Sequence, residues 1–296
     1  MTPKDAAANI KETLLNAGFP DAAFEAEQLT CGVLKLSAAS MHLSEEKLSG
    51  GQIEALENAI SKRLSHQPLQ YILGEWEFYG LPFSVGEGVL IPRPDTETLV
   101  DAALQFIGDR EGLKIADLCA GSGCVGIAVE KHTESCSVFS YEKYPAAFRY
   151  LKANIKRNNS KANPVLRDIE DGPLSDERFD LLVSNPPYIK AEVMRSLQPE
   201  VQFEPDTALS GGTDGLHFYR EILKKWLSAL NVGGAVAFEI GYDQADEVTA
   251  LMKAAGLQNI QGICDLSGTQ RVIIGTFLPQ SNGSKAAALE NSIKSS

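Results

Sequence analysis

The feature that most constrains the fold is an alternation of helical and strand-forming segments, which begins near Thr96 and continues to residue 277. Short apolar runs predict buried strands, and the amphipathic stretches between them predict helices. This order is typical of a doubly wound α/β domain with a mostly parallel sheet. The predicted strands are LKIADL, SVFSYE, a short one around Pro164–Leu166, FDLLVSN and AVAFEI, with RVIIGTF closing the sheet as its edge strand.

The first 67 residues have a different pattern, which predicts a small bundle of amphipathic helices. Thr2 and Pro3 suit the start of a first helix, and a second is expected after Pro20. Apolar residues at helical spacing predict a third helix over Gln52–Leu64. Because short amphipathic helices are marginal alone, we expect them to bury their apolar faces against one another.

Between these two regions, residues 68–92 combine aromatic residues, alternation and several glycines, which predicts a β-hairpin linker. The last residues are polar and weakly patterned, which predicts a disordered tail. The expected organisation is therefore a helical domain at 1–67, the linker at 68–92, an α/β domain at 93–279 and the tail at 280–296.

Charge and cysteine content narrow the functions that remain open. A formal net charge of −12 disfavours sequence-independent binding to nucleic acid, since such binding neutralises phosphates with Lys and Arg. Five cysteines without Cys-x-x-Cys spacing suggest reduced side chains in a cytoplasmic protein. The four histidines form no metal-binding pattern, and the sequence has neither a secretory signal nor an apolar run long enough to span a membrane.

A glycine-rich turn follows the first strand of the predicted α/β domain. Gly121, Gly123 and Gly126 form Gly-x-Gly-x-x-Gly, which lets the backbone turn tightly and approach a ligand. Glu142 ends the next strand, where an acid can bind both ribose hydroxyls of an adenosine. The turn fits a dinucleotide, S-adenosylmethionine or a purely structural role. Asp117 favours S-adenosylmethionine, because a carboxylate suits a cationic ligand better than a pyrophosphate.

The most specific motif is Asn185-Pro186-Pro187-Tyr188, which leaves the carboxyl end of a predicted buried strand. Open α/β sheets bind ligands at that edge. Two prolines stiffen the turn and leave its carbonyls as fixed acceptors. The Asn185 side-chain oxygen and the Pro186 carbonyl suit the two N–H bonds of a planar amide or amine, and Tyr188 offers a ring for stacking. A rigid turn without a catalytic role is the alternative.

These motifs make the chain resemble the PrmC (HemK) family of class I methyltransferases, over nearly its whole length. The segments that carry the resemblance are LGEWEFYG, LIPRPDTE, SNPPYI, FEPDTAL and GGTDGL. The resemblance implies a Rossmann-like domain after a helical substrate-recognition domain. It also implies methyl transfer from S-adenosylmethionine to the N5 amide of the glutamine in the Gly-Gly-Gln motif of peptide chain release factors, which modulates translation termination.

The resemblance also implies roles for individual residues. Asn185, Pro186 and Tyr188 would be catalytic, and with Pro187 they would bind the glutamine. The implied cofactor contacts are Asp117, Cys119, Ala120, Gly121, Ser122, Gly123, Glu142, Asp168, Ile169 and Asn185. The chain departs from the family pattern in Cys119, where glycine is common, in Glu142, where aspartate is commoner, and in Ile169, where some members have an aromatic residue.

Three other functions remain open: a nucleic-acid amine methyltransferase, a non-catalytic scaffold that binds a translation factor, and a dinucleotide-dependent oxidoreductase. The expected partner is a release factor, with no nucleic acid, membrane or metal, and the chain is expected to be a monomer. The triplet Gly50-Gly51-Gln52 repeats the expected substrate motif, which raises self-methylation beside the simpler interpretation of a helix start. Arg93 and Glu97 suit the cofactor entrance, an interdomain ion pair or a solvated surface, and Phe203 and Glu204 suit either a cover over the site or loop packing.

Overall fold

The computed structural model describes residues 1–278, so the predicted tail at 280–296 lies outside the described residues. The N-terminal region contains five helices, where the sequence predicts three. They are α1 Pro3–Asn16, α2 Ala22–Leu34, α3 Ala38–Leu43, α4 Gly50–Leu64 and α5 Leu69–Leu73. Helices α3 and α5 are too short to show a clear apolar periodicity, which is why sequence reasoning missed them.

The helices begin where their capping residues predict. Thr2 accepts a hydrogen bond from the Asp5 backbone N–H at 3.3 Å, and the Asp5 carboxylate accepts one from the Thr2 N–H at 2.8 Å. Ser49 and Gln52 form the same reciprocal arrangement at the start of α4. Gln52 of the Gly-Gly-Gln triplet therefore caps a helix. The apolar faces of α1, α2 and α4 share one core that includes Leu14 and Leu29.

Two short strands, β1 Glu75–Phe78 and β2 Leu81–Ser84, form the predicted hairpin. Their register leaves Tyr79 and Gly80 as the two loop residues, and both have positive φ, as tight hairpin turns require. Phe78 and Phe83 are buried in the core of the α/β domain rather than in that of the helical bundle. The hairpin is therefore packed against the α/β domain.

The α/β domain contains a seven-stranded sheet with helices on both faces, as the alternation predicts. Its strands are β3 Lys114–Leu118, β4 Ser137–Glu142, β5 Asn163–Leu166, β6 Phe179–Ser184, β7 Leu230–Glu239, β8 Gln258–Cys264 and β9 Gln270–Thr276. Its helices are α6 Glu97–Ile107, α7 Cys124–Lys131, α8 Pro145–Arg157, α9 Asp206–Leu209, α10 His217–Trp226 and α11 Ala245–Ala254. The strand order is β5-β4-β3-β6-β7-β9-β8.

The position of the strand RVIIGTF was predicted wrongly. It forms β9, which pairs antiparallel with both β7 and β8 and therefore lies inside the sheet. The edge strand on this side is β8, whose burial pattern is mostly exposed. Because β8 is largely polar, its sequence does not show the apolar run of an internal strand, and the prediction passed over it.

The sheet has its switch point between β3 and β6. From β3 the chain moves outward through β4 and β5, then returns to add β6 and β7 on the other side, all parallel. The crevice beside the carboxyl ends of such strands is where open α/β sheets bind ligands. Within residues 1–278, no helix is both long and apolar enough to cross a membrane.

Candidate functional site

The switch point opens into a cavity of about 940 Å³, including open solvent at its mouth, which we call the large cavity. Every predicted cofactor residue except Gly123 lines it. Those residues are Asp117, Cys119, Ala120, Gly121, Ser122, Glu142, Asp168, Ile169 and Asn185. Segments that are far apart in the sequence thus come together at the carboxyl edge of the sheet, after the ends of β3, β4, β5 and β6.

The three positions of the turn require glycine for different structural reasons. Gly121 has φ +56° and open space where a side chain would be, so a ligand can reach its backbone. At Gly123, an added Cβ would lie 2.4 Å from Leu151 Cδ1. At Gly126, it would lie 2.7 Å from Asp117 Oδ2. Gly121 therefore serves the cavity, whereas Gly123 and Gly126 allow close packing beneath it.

The backbone conformation at Cys119 is one that favours glycine. Its backbone has φ +64°, in the left-handed region that strains residues with a Cβ. We expect the free energy of unfolding of Cys119→Gly to be about 1 kcal/mol higher than that of Cys119→Ala. Both variants lose the thiol, but only alanine keeps the strained Cβ. Chemical denaturation of the two variants measures the difference. Equal stabilities would show that the turn holds no strain here.

Asp117 lies beneath the glycine turn and is almost completely buried, with 1% of its surface exposed. Its Oδ2 accepts a hydrogen bond from the Gly126 backbone N–H at 3.1 Å. Burial, with a smaller contribution from the charge of Glu142, raises the pKa of Asp117 to about 7. A cationic ligand in the large cavity would offset this cost and favour the ionised carboxylate.

Glu142 holds the turn as well as facing the cavity. Its Oε2 accepts from the Gly121 N–H at 2.8 Å, and its Oε1 accepts from the Tyr144 N–H at 2.7 Å. Burial nevertheless raises the pKa of this carboxyl above its usual value. Each oxygen keeps a second lone pair, so the predicted ribose contacts would share these oxygens with the backbone.

Asp168 and Ile169, which follow β5, also line the large cavity. Asp168 pairs with Lys143 across the cavity rim at 2.6 Å. Ile169 is buried, and its carbonyl accepts a hydrogen bond from the Trp226 indole at 2.8 Å. The backbone of this part of the cavity lining is therefore fixed by a buried aromatic residue, and an apolar side chain faces the cavity.

The Asn-Pro-Pro-Tyr turn separates the large cavity from a second cavity of about 600 Å³, which we call the small cavity. Asn185 and Pro187 line both cavities, whereas Pro186 and Tyr188 line only the small one. The Asn185 Nδ2 donates a hydrogen bond to Thr96 Oγ1 at 3.1 Å. Within the part of the chain that the structure describes, no group donates to the Asn185 Oδ1, which can therefore accept a hydrogen bond from a ligand.

The insertion after the turn holds the turn in place. The Ile189 N–H donates to the Leu209 carbonyl at 2.9 Å, and the Gly211 N–H returns a hydrogen bond to the Ile189 carbonyl at 2.8 Å. Gln244 donates through Nε2 to the carbonyls of Tyr188, at 3.1 Å, and Gly215, at 3.2 Å. The segment GGTDGL is thus a backbone cradle for the turn.

Gly211 offers a direct test of this cradle. An added Cβ would lie 2.7 Å from both the Pro187 carbonyl oxygen and the Tyr188 Cα, which are backbone atoms that have little room to move. We expect Gly211→Ala to shift the turn and to lower turnover on the order of 100-fold, as misplacement by about 1 Å does. Gly51→Ala at the start of α4, where φ is not positive and an added Cβ would meet nothing within 4 Å, is the control. Equal activity of both variants would contradict the cradle.

Arg93 ties the linker to the insertion. It pairs with Glu204, which is 3% exposed and also accepts a hydrogen bond from the Ile91 N–H at 3.0 Å. The Arg93 side chain lines both cavities. Glu97 does not join this pair, because its carboxylate accepts from the Tyr79 N–H at 2.8 Å. Phe203 is partly exposed beside Glu204, so of these two residues only Glu204 is buried near the site.

Comparison with known proteins identifies the family. Residues 5–74 match the PrmC N-terminal domain, and residues 96–200 match the methyltransferase small domain. The release factor glutamine methyltransferase of Thermodesulfovibrio yellowstonii is 37% identical over 253 residues, which cover 84% of this chain and 91% of the relative. The Clostridium botulinum protein of the same name is 39% identical over 242 residues, covering 80% and 84%. The chain belongs to the release factor glutamine methyltransferase family.

A solved structure agrees with this family at the level of the fold. The catalytic domain of hMettl16, solved with the MAT2A 3'UTR hairpin 6, is 15% identical and has a TM-score of 0.56 over 79% of this chain and 84% of that one. The prediction of a class I methyltransferase with a helical N-terminal region is therefore confirmed. The predicted domain boundaries and the roles of individual residues stay predictions.

Sequence reasoning missed three residues that surround the Asn-Pro-Pro-Tyr turn: Thr96, Glu239 and Gln244. Thr96 lies in the segment LIPRPDTE, whose charged residues are the more obvious candidates for a functional role. Glu239 ends β7, so it stands at the same carboxyl edge as Asp117 and Asn185. The rule that ligands bind at this edge was a usable signal for Glu239, since a carboxylate there follows an otherwise apolar run. Gln244 carries no comparable signal.

Proposed function

We propose that this chain transfers a methyl group from S-adenosyl-L-methionine to the side-chain amide nitrogen, N5, of the glutamine in the Gly-Gly-Gln motif of peptide chain release factors. The observation that carries the proposal is that the large and small cavities meet at Asn185, whose Oδ1 accepts no hydrogen bond from the residues that the structure describes. Membership of the release factor glutamine methyltransferase family supports the same substrate.

The large cavity has features that suit S-adenosylmethionine, which supplies a methyl group on a cationic sulfur. Gly121 leaves open space at the turn, and the carboxyls of Asp117 and Glu142 are buried beside it. Both carboxyls have raised pKa values, so a cationic ligand stabilises their ionised forms. The apolar side chain of Ile169 gives the adenine a surface in the cavity lining.

In the small cavity, the chain's own residues orient the amide. The Asn185 Oδ1 accepts one N–H of the glutamine side chain and the Pro186 carbonyl accepts the other. Two such contacts turn the nitrogen lone pair towards the methyl group and favour a pyramidal nitrogen in the transition state. Tyr188 packs its ring against the planar amide. A bound S-adenosylmethionine would supply the methyl group and leave as S-adenosylhomocysteine, and the proton that the glutamine nitrogen gives up after the transfer would pass to water.

The test is methyl transfer from labelled S-adenosylmethionine to a purified release factor, with a release factor whose Gly-Gly-Gln glutamine is changed to alanine as control. We expect label on the wild-type factor alone. Label on both factors would show a different target residue. No label on either, with cofactor binding intact, would contradict the proposal and favour a nucleic-acid substrate or a scaffold.

A further inference from the structure

Glu239 is a buried carboxylate at the base of the small cavity. It ends β7, is 2% exposed and lines the small cavity together with Asn185 and Tyr188. Its Oε1 accepts a long hydrogen bond, 3.4 Å, from the Tyr188 hydroxyl. Its Oε2 has no hydrogen-bond partner within the part of the chain that the structure describes. Burying a carboxylate without a full set of partners costs free energy, so a functional role would account for its presence here.

The environment of Glu239 contains few other charges. Burial raises its pKa to about 7, and the negative charge of Asp95 adds to this effect, whereas Arg271 opposes it. The hydroxyls of Thr96 and Tyr188 also favour the ionised form. Thr96 therefore lies near the carboxylate, but no hydrogen bond joins the two side chains, and Oε2 has no partner among the described residues.

Thr96 connects this carboxylate to Asn185. Its side chain is buried, and its Oγ1 accepts the hydrogen bond from Asn185 Nδ2 at 3.1 Å. A hydroxyl that accepts at its oxygen still has one hydrogen to donate. If this hydrogen is donated to the Glu239 Oε2, which is unpartnered among the described residues, the order of donation runs from the Asn185 amide to Thr96 and from Thr96 to Glu239.

An ionised carboxylate fixes the direction of this order, because it can only accept. Thr96 must then donate to Glu239 and present its oxygen to Asn185, which must present its NH2 group. The Asn185 oxygen is left to face the cavity. If Glu239 were a group that also donates, Thr96 could reverse, and the Asn185 amide could rotate so that its NH2 group opposed the N–H bonds of the substrate.

We propose that Glu239, acting through Thr96 and Tyr188, is a positioning residue that holds the Asn185 amide with its oxygen towards the substrate nitrogen. The inference rests on the proposed function, since it names the residue that sets the geometry of that same site. It predicts that the carboxylate affects turnover more than binding, because the cofactor cavity does not contain Glu239.

The test compares Thr96→Val, Thr96→Ser, Glu239→Gln and the double variant Thr96→Val/Glu239→Gln in methyl transfer to a release factor. Valine keeps the shape of threonine but lacks the hydroxyl, and serine restores the hydroxyl. Thr30→Val is the matched control, since Thr30 is equally buried and donates only to the Ala26 carbonyl of its own helix. Assays at about pH 8 keep Glu239 mostly ionised.

We expect Thr96→Val and Glu239→Gln each to lower kcat by about tenfold or more, with KM for the release factor and the cofactor Kd nearly unchanged. Thr96→Ser should recover most of the loss. The kcat of the double variant should be no lower than that of the less active single variant, because both changes break the same connection between Glu239 and Asn185. If Glu239→Gln does not fold, the pair of Thr96 variants decides alone.

Three outcomes would overturn the inference while the wild type is active. The single variants could retain wild-type kcat, their losses could multiply in the double variant, or Thr96→Ser could fall as far as Thr96→Val. A cofactor Kd that rises in step with the loss of kcat would likewise indicate a merely structural role. A wild-type protein that transfers no methyl group to the release factor would instead overturn the proposed function, and this inference with it.

Discussion

Changing Asn185 to alanine should lower methyl transfer on the order of 100- to 1000-fold while leaving cofactor binding largely intact. The expected size follows from the loss of one preorganised polar group aimed at the reacting atoms. Asn185 contributes its side-chain oxygen to the small cavity, whereas the glycine turn, Asp117 and Glu142 form most of the large cavity. Single-turnover rates and cofactor titration of the same preparation separate the two effects.

A matched control exists in β5, an edge strand of the sheet. Asn163 lies in β5 and donates a hydrogen bond to the Val138 carbonyl at 3.2 Å, away from both cavities. Asn163→Ala removes the same chemical group and should retain wild-type turnover. If Asn185→Ala loses cofactor affinity as strongly as turnover, then Asn185 belongs to the cofactor site rather than to the site of methyl acceptance.

The fold was predictable where local pattern decided the outcome. The strands that became β3, β4, β6 and β7 have apolar runs that no helix period explains, and each was predicted at its position. The order of the last two strands depends on pairing between distant segments. RVIIGTF has the apolar pattern of a strand, but its sequence does not indicate which strands it pairs with. Its position between β7 and β8 was therefore not predicted.

The functional site, like the fold, could be predicted from the sequence only where its residues belong to local motifs. The glycine turn and the Asn-Pro-Pro-Tyr turn are contiguous motifs, and most of their residues line the two cavities, while their individual roles stay predictions. Thr96 reaches Asn185 across 89 positions of sequence, and Gln244 reaches Tyr188 across 56. Such support comes from tertiary contacts, which a single sequence does not encode as a spacing. Only the strand-edge rule pointed towards Glu239.

The buried acids at this edge also link ligand binding to protonation. Asp117 and Glu239 each have a pKa raised to about 7 by burial, well above the usual range for a carboxyl. A group with a raised folded-state pKa favours the folded state at low pH, and its contribution is lost as the pH rises through the folded pKa. The protein without ligand should therefore lose stability from acidic pH towards about pH 7.

Asp117→Asn should weaken S-adenosylmethionine binding by about 10- to 100-fold near pH 8, because a buried charged contact contributes about 1.5–3 kcal/mol. Asparagine can still accept the hydrogen bond from the Gly126 N–H, so the turn keeps its support. The wild-type affinity should rise between about pH 6 and about pH 8, as Asp117 loses its proton. The variant should lack most of this rise and, without ligand, should unfold at a higher temperature than the wild type at the upper pH.

Asp180→Asn is the control for that measurement. The Asp180 carboxylate also accepts a backbone hydrogen bond, from the Lys114 N–H at 2.9 Å, but it lies outside both cavities. It should leave cofactor affinity and its pH dependence unchanged. Calorimetric titration across the pH range decides between the two roles of Asp117. A variant that is more stable yet binds weakly supports a carboxylate kept for a cationic ligand. A variant that binds normally would mean that Asp117 serves only the Gly126 backbone.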